Sequence, residues 1–427
     1  MSVIFALSSA GGKAAVAVVR LSGAGALDVA ARIAGDLPSA RRLGLRRLRR
    51  LNGDELDEGL VVVFLGPGSA TGEDLVEFHV HGSRAIVAAL LEDLATLPNC
   101  RMAEAGEFSR RAFRNGKRDL AALEGLADLI DAETEGQRRQ ALRQMQGRLG
   151  EEVMGWRAAL LDVQAELEAE LDFSDEGDVA TDLAGVRARL RGVSAALDRS
   201  LVGAGAAERV REGFRVVIAG PPNAGKSTLL NALAGRDVAI VTATPGTTRD
   251  VLDIELDVGG RRVILSDTAG LREAGDDVEA EGIRRARCRI DDADLVIWLD
   301  ERDPFAGAPP GAMPVRTKAD RFGGEPTKGI LAISAVTGEG LDALVAGVAE
   351  RAARSMEGGM NALVVRRRHR DAIVDAREEL RCALSAQLPE LVAESCRRAR
   401  AALGRIVGTD DPETVLGAVF GRFCIGK

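Results

Sequence analysis

Arg215-Val-Val-Ile-Ala-Gly220-Pro-Pro-Asn-Ala-Gly225-Lys226-Ser227-Thr228 is the stretch whose reading decides the fold. Arg215 to Gly220 has the apolar run of a buried strand, and Leu229-Leu230-Asn231-Ala232-Leu233 continues as a helix. Strand, glycine turn and helix in this order make a phosphate-binding loop: glycine lets successive backbone N–H groups curl round phosphate oxygens, and the helix N-terminus faces them. Gly220 and Gly225 supply the turn. Ala224 and Thr228 complete the cradle, Lys226 is placed to reach the β and γ phosphates, and the Ser227 hydroxyl to ligate Mg²⁺.

The elements that follow come in the order of a GTPase. Thr247-Thr248-Arg249-Asp250 supplies a switch threonine, Thr248, for Mg²⁺ and the γ phosphate, with Thr247 beside it. A strand from Val263 to Ser266 leads into Asp267-Thr268-Ala269-Gly270, where Asp267 holds the metal through water and Gly270 senses the γ phosphate. Asp294 to Leu299 is a further buried strand. Thr317-Lys318-Ala319-Asp320 matches the guanine-reading element, whose Asp320 accepts from guanine N1 and N2, and Ser334-Ala335 belongs to the loop behind the base.

Two departures carry information. Thr317 stands where an asparagine is usual, which removes a side-chain amide near the base. Leu271 stands where many GTPases carry the glutamine that orients the attacking water, so another group must serve hydrolysis. No arginine finger is identifiable. Asn223 offers an alternative source of charge: its side-chain oxygen, with backbone carbonyls of the loop that includes Thr242, Thr244 and Thr247, would hold a monovalent cation such as K⁺ beside the phosphates. A turn residue and nothing more is the other reading of Asn223.

The rest of the chain surrounds this core, which runs from 213 to 353. At 427 residues, 46% hydrophobic and 29% charged, it has the composition of two or three globular domains. Its longest apolar runs are strand-sized, so no membrane helix is expected, and the first residues lack the basic region of a signal peptide. Five cysteines without CxxC spacing point to a reducing cytoplasm rather than a disulfide framework or a zinc site. The net charge of −8 announces no global nucleic-acid field; the basic runs Arg41 to Arg50 and Arg366 to Arg370 read equally as solvated faces or phosphate contacts.

Apolar residues recur at helical spacing through 119–212 (Leu120, Leu123, Leu126, Ala127, Ile130) and again after 354 (Leu380, Leu384, Leu388, Leu391), and these stripes read as packing. This predicts one discontinuous helical domain, 119–212 and 354–427, with the α/β domain inserted. Residues 1–118 read as a mixed α and β domain with strands at Ala14 to Gly23, Gly59 to Phe64 and Leu75 to Gly82. His79 and His81 share a strand face without a third ligand, which favours an ordinary core or surface role over a metal site. The chain ends on Phe423-Cys424-Ile425-Gly426-Lys427, an isolated thiol that the nucleotide loops do not explain.

Taken together, these segments resemble the MnmE (TrmE) family of tRNA modification GTPases over essentially the whole chain. The resemblance is carried by Val19 to Gly23, Thr71-Gly72-Glu73-Asp74, Gly106 to Phe113, Ala127 to Ala132, the P-loop with Asn223, Gly246 to Asp250, Asp267 to Glu273 and, most specifically, the terminal FCIGK. It implies a folate-binding N-terminal domain that forms a homodimer, a helical domain, and a G domain whose hydrolysis is potassium-stimulated through dimerisation. It implies also a partner, the FAD-binding MnmG (GidA), in a heterotetramer or larger complex. Together the two add an aminomethyl or carboxymethylaminomethyl group at carbon 5 of uridine 34 in tRNA, taking the one-carbon unit from 5-formyl- or 5,10-methylene-tetrahydrofolate.

By the same resemblance Arg20, Glu77 and Lys117 fall on folate-contacting positions and Lys427 on a ligand contact. Glu279 falls on the glutamate that orients the attacking water, although its acidic neighbours Asp276 and Asp277 alone would mark a solvated loop. Cys424 becomes a catalytic candidate, a structural thiol being the alternative. One departure is Leu7-Ser8-Ser9-Ala10-Gly11-Gly12, where the family carries a Pro-Pro-Gly segment. Two other classes fit the sequence less well: a ribosome-assembly GTPase whose flanks only bind RNA, since nothing after Ala353 offers a GxxG loop and such a switch has no need for the thiol, and a folate module with a vestigial GTPase, which fails on the intact nucleotide elements.

Overall fold

Six strands near the N-terminus form one sheet in the order β3-β4-β5-β2-β1-β6: β1 Val3–Leu7, β2 Ala14–Ser22, β3 Gly44–Arg49, β4 Glu55–Phe64, β5 Leu75–Gly82 and β6 Cys100–Met102. All neighbours are antiparallel except β1 and β6. Alternation along β5 turns Val76, Phe78 and Val80 inward, where they join Val19 and Leu21 of β2 and helices α1 (Ala26–Ala34) and α2 (Arg84–Thr96) in one apolar core. The opposite face carries Arg20, Ser22 and Glu77, so a single strand pair separates core from polar site. The basic run of β3 lies in register with acids of β4, Arg47 opposite Glu58 and Arg49 opposite Glu55.

The molecule is a computed structural model and describes residues 2–172, 183–236, 238–240, 253–267, 287–302, 307–321, 330–409, 417, 419–421, 423, 425 and 426. It divides into two units: Met1–Ala127 with Leu149–Ala158 and Arg400–Lys427, and Asp128–Arg148 with Ala159–Ala399. In the first unit the C-terminal segment returns to the N-terminal sheet. Phe420 and Phe423 pack with Phe113, Leu120 and Leu123, the rings of Phe113 and Phe420 6.3 Å apart and those of Phe420 and Phe423 5.8 Å apart.

The second unit holds a parallel sheet ordered β12-β11-β10-β7-β9-β8, from β7 Phe214–Ala219, β8 Asp253–Asp257, β9 Arg262–Asp267, β10 Leu295–Asp300, β11 Met313–Arg316 and β12 Leu331–Ala332; only β8 runs antiparallel to its neighbour. β7 is central and nearly continuously buried, as a strand flanked by β9 and β10 must be. Strand order reverses around β7, and at such a switch point the carboxyl ends of the strands open a ligand crevice. Across the two units, helices α4 (Leu120–Ile130), α5 (Glu135–Met145), α6 (Arg148–Asp172), α7 (Leu183–Leu201) and α8 (Ala204–Glu212) and the helices Arg367–Ser385 and Pro389–Val407 supply the helical part.

Both expected packing stripes are corrected here: the first fails at its end, where Ile130 is 44% exposed, and the second fails in its middle. Leu380 is fully buried, but Leu388 and Leu391 are 57% and 54% exposed. The second stripe assumed one helix, whereas the chain leaves the first at Ala386 and starts a second at Pro389. Proline fits a first helical turn and resets the phase, so the second helix buries Val392, Cys396, Ala399 and Leu403 instead.

Candidate functional site

The first site is built from loops at the carboxyl ends of the parallel strands. After β7 the chain turns at Gly220, φ 147°, where an added Cβ would stand 2.2 Å from the Leu299 carbonyl of β10; only glycine fits so close an approach. Asn223 follows in the left-handed region at φ 64°, Ala224 is buried, and Gly225 at φ 92° caps helix α9, Lys226–Ala234. The first turn of that helix presents Lys226, Ser227 and Thr228. Lys226 Nζ donates to the carbonyls of Gly220 (3.0 Å) and Pro221 (2.9 Å), which sets the ammonium across the mouth of the loop.

Asp267, the last residue of β9, accepts from Ser227 Oγ at 2.8 Å and is 2% exposed. A hydroxyl and a buried carboxylate in contact, beside a helix N-terminus and a lysine, are the donor set of a Mg²⁺–triphosphate site. At the far side, Ser334 Oγ donates to Asp320 Oδ1 at 2.6 Å and Ala319 N to Ile333 O at 3.0 Å. Asp320 is thereby aimed by the loop that carries Ser334 and Ala335. Lys318 has φ 60° and its Nζ pairs with Glu301. Thr317 turns toward β10 and donates Oγ1 to the Asp300 carbonyl at 3.4 Å.

The structure thus brings together Asn223, Ala224, Gly225, Lys226, Ser227, Thr228 and Asp267 at one end and Lys318, Asp320, Ser334 and Ala335 at the other. Thr242, Thr244, Thr247, Thr248, Gly270, Leu271 and Glu279 lie outside the described residues.

The second site lies on the face of the N-terminal sheet opposite α1 and α2, where Phe108 packs against Ile4 and Ala6. Arg20 and Glu77 are direct cross-strand partners, and Arg20 Nε and Nη2 donate to Glu77 Oε1 at 2.9 and 2.8 Å. His79 Nε2 stands 3.3 Å from Glu77 Oε2, while His81 Nδ1 meets Asp57 Oδ1 at 2.8 Å, so each histidine has a carboxylate neighbour of its own. The Arg20 guanidinium lies 5.8 Å from the centre of the Phe108 ring. Two residues along the same face, Ser22 bonds Thr71 Oγ1 (2.7 Å) and Glu73 (3.1 Å), and Arg111 donates to Glu73 at 2.8 Å. Lys117 passes over Gly72, its Cε 3.2 Å from where a Cβ would stand.

Glu107 anchors this network from helix α3, Glu107–Arg114. Burial works against its charge, but hydrogen bonds from Arg101, the Glu104 N–H and Arg111 outweigh it and hold the carboxyl at about 2. A cavity of about 270 Å³ opens among Ser2, Glu73, Arg101, Arg110, Arg111 and Asn115.

The chain's C-terminal segment meets the residues that follow β1 and precede α3. Ile425 pairs with Ala105 and Ser8 Oγ donates to the Gly426 carbonyl at 3.0 Å. Cys424 and Lys427 lie outside the described residues. Phe108, Arg111 and Ser22 carry no individual mark in the sequence beyond the motifs that contain them; their meeting depends on strand register and on helix α3, which a linear reading does not supply.

Comparison with known proteins agrees along the entire length. Residues 3–117 match the family model of the GTP-binding protein TrmE N-terminus, and residues 120–424 that of the MnmE helical domain. The protein named tRNA modification GTPase MnmE of Methylorubrum populi is 52% identical over 99% of this chain and 98% of its own length, and that of Azorhizobium caulinodans 52% over the same shares. The MnmE of Phenylobacterium zucineum is 48% identical over 99% of both. Sequence, strand order and loop chemistry converge, and the chain belongs to the MnmE (TrmE) family of tRNA modification GTPases.

Proposed function

We propose that the protein couples GTP hydrolysis to modification of the wobble uridine of tRNA, at carbon 5, using a one-carbon unit from a tetrahydrofolate and acting with an FAD-binding partner of the MnmG type. The observation that carries this reading is the return of the C-terminus. Ile425 and Gly426 directly follow the thiol residue and are tied to Ala105, just ahead of α3, and to Ser8, just past the end of β1. A thiol in a segment tied to the N-terminal domain would have a use in group transfer that a GTPase alone does not require.

In the nucleotide site, Lys226 and the backbone N–H groups of Asn223 to Thr228 bind the phosphates, and Ser227 with Asp267 holds Mg²⁺, which neutralises developing charge during transfer. Asp320, set by Ser334, selects guanine. Asn223, with the Thr242, Thr244 and Thr247 segment, holds a potassium ion, and Thr248 completes the metal shell. Gly270 senses the γ phosphate and Glu279 orients the water in place of the glutamine that Leu271 replaces. Arg20 and Glu77 offer a paired cation and carboxylate to the polar pterin edge of a folate, and Phe108 offers a ring face. Lys117 and Lys427 offer positive charge to its glutamyl carboxylates. Those residue types suit such a ligand.

The domain layout follows: 1–118 for folate and homodimerisation, 213–353 for GTP and G-domain pairing, and 119–212 with 354–427 as the helical domain, in the cytoplasm where tRNA is available. Cys424→Ser tests the coupling. It is expected to abolish the wobble-uridine modification, read by nucleoside mass spectrometry, with GTP turnover within about twofold of the parent. Unchanged modified nucleoside in cells carrying only this variant would refute the thiol's role.

A further inference from the structure

The guanine-reading corner is held by residues that belong to no GTPase motif. Lys318 adopts φ 60°, a backbone region that side-chain-bearing residues rarely enter and that persists only where the surroundings fix it. On one side the loop is tied to the end of β10: Thr317 N donates to the Asp300 carbonyl at 2.8 Å, and Thr317 Oγ1 reaches the same oxygen at 3.4 Å. The β10 corner is itself closed, with Arg302 N donating to Asp300 Oδ1 at 3.1 Å. From that corner Glu301 extends its carboxylate to the Lys318 ammonium.

Of the two base-reading side chains, Asp320 is aimed by Ser334. Lys318 has a long apolar stem and four rotatable bonds, so its value as a platform for a purine depends on where its charged end is fixed. Glu301 supplies that fixed end. The need is greater here because Thr317 lacks the amide that an asparagine would bring to the base.

We infer that Glu301 is a positioning residue for guanine-nucleotide binding, holding the Lys318 stem along the base-reading face from the end of β10. The inference rests on guanine nucleotide binding at these loops. The charge of Glu301 is repelled by nucleotide phosphates, so its favourable effect must come through Lys318 at the base end, and it is equal for di- and triphosphate.

The test uses the full-length protein and displacement of a fluorescent GDP analogue by GDP and by GTP, for the parent, Glu301→Gln and Glu301→Asp. Glu301→Gln is expected to raise Kd about three- to fivefold for both nucleotides, the range of a half-exposed ion pair. Glu301→Asp, which keeps the charge on a shorter stem, is expected to fall between parent and Glu301→Gln. Turnover at saturating GTP and the melting temperature without nucleotide should not change, a split that a purely structural residue would not produce. If Glu301→Gln fails to fold, Glu301→Asp carries the comparison alone, with a rise in Kd expected for both nucleotides. Kd values indistinguishable from the parent in the folded variants, or a matching fall in saturated turnover, would overturn the inference. A parent that binds no GDP would instead overturn the site on which it rests.

Discussion

At the scale of single residues, Asn223 has two properties that pull apart under substitution. Its backbone sits at φ 64°, a region that costs an ordinary residue about 1 kcal/mol and glycine almost nothing. Its side-chain oxygen is the proposed cation ligand. Alanine would mix both effects, so Asn223→Gly is the cleaner change: the loop keeps its shape and only the oxygen is lost. The parent should hydrolyse GTP about tenfold or more faster in potassium than in sodium, which corresponds to about 1.4 kcal/mol of barrier. Asn223→Gly should be slow and equal in the two salts, with GDP affinity little changed. A glycine variant that retains the potassium preference would assign the cation to other groups.

The P-loop, Asp267, and Asp320 with Ser334 were legible because each motif is local and bounded by a strand the periodicity reveals. Glu301 was not: it precedes Lys318 by a whole strand connection, and no spacing rule ties a carboxylate after one strand to a lysine after the next. The exposure of Leu388 and Leu391 has the opposite origin. Helical periodicity was present, but Pro389 broke its phase, and a stripe counted across a break assigns exposed leucines to the core.

At the scale of elements, the hairpin of β8 and β9 is tied to a helix outside its own sheet. Its tip meets helix α5, where Gly136 N donates to the Gly260 carbonyl at 3.0 Å. Thr134 starts α5 with a capping box closed by Gln137, which fixes the approach of that first turn. A Cβ on residue 136 would stand 2.8 Å from the Gly260 oxygen. Gly136→Ala must therefore push hairpin and helix apart, at a cost of about 1–3 kcal/mol, despite alanine's better helix propensity. Calorimetry should show a melting temperature lower by several degrees; an unchanged or raised value would mean that the hairpin yields freely.

Beside this contact Glu133 and Glu255 share a hydrogen bond, with Arg262 on Glu255 and Asp131 adding negative charge nearby. Burial, the Glu255 hydrogen bond and that charge raise Glu133. Burial acts on Glu255 in the same direction, but Arg262 prevails and lowers it. A carboxyl raised by folding stabilises while protonated, so the contribution of Glu133 is full below its unfolded value and is lost as pH rises through its folded one. Glu133→Gln keeps a donor for Glu255 at every pH. It should raise the melting temperature at pH 8 and change it little at pH 4; the reverse order would contradict the shared proton.

At the scale of the whole molecule, the chain has two units with separate apolar cores: one under the N-terminal sheet around Phe5, Leu21 and Phe78, the other under the parallel sheet around Val216, Ile218 and Leu265. Separate cores of this size unfold as separate cooperative blocks unless the surface between them is large. Each block carries its own proposed ligand site, so each ligand stabilises only the block that folds around it. A ligand at about 100 times its Kd adds about 2.7 kcal/mol to the state that binds it, enough to move the transition of a block of this size by several degrees. Scanning calorimetry should therefore show two transitions, of which GDP with Mg²⁺ moves one and 5-formyl-tetrahydrofolate the other. The Arg20–Glu77 pair provides the control: Glu77→Ala leaves Arg20 without its carboxylate, and should erase the folate shift while the GDP shift stays intact. A folate shift that survives Glu77→Ala, or one that appears on the GDP-sensitive transition, would move the folate site off the face that bears Arg20 and Glu77 and detach the thiol from its proposed substrate.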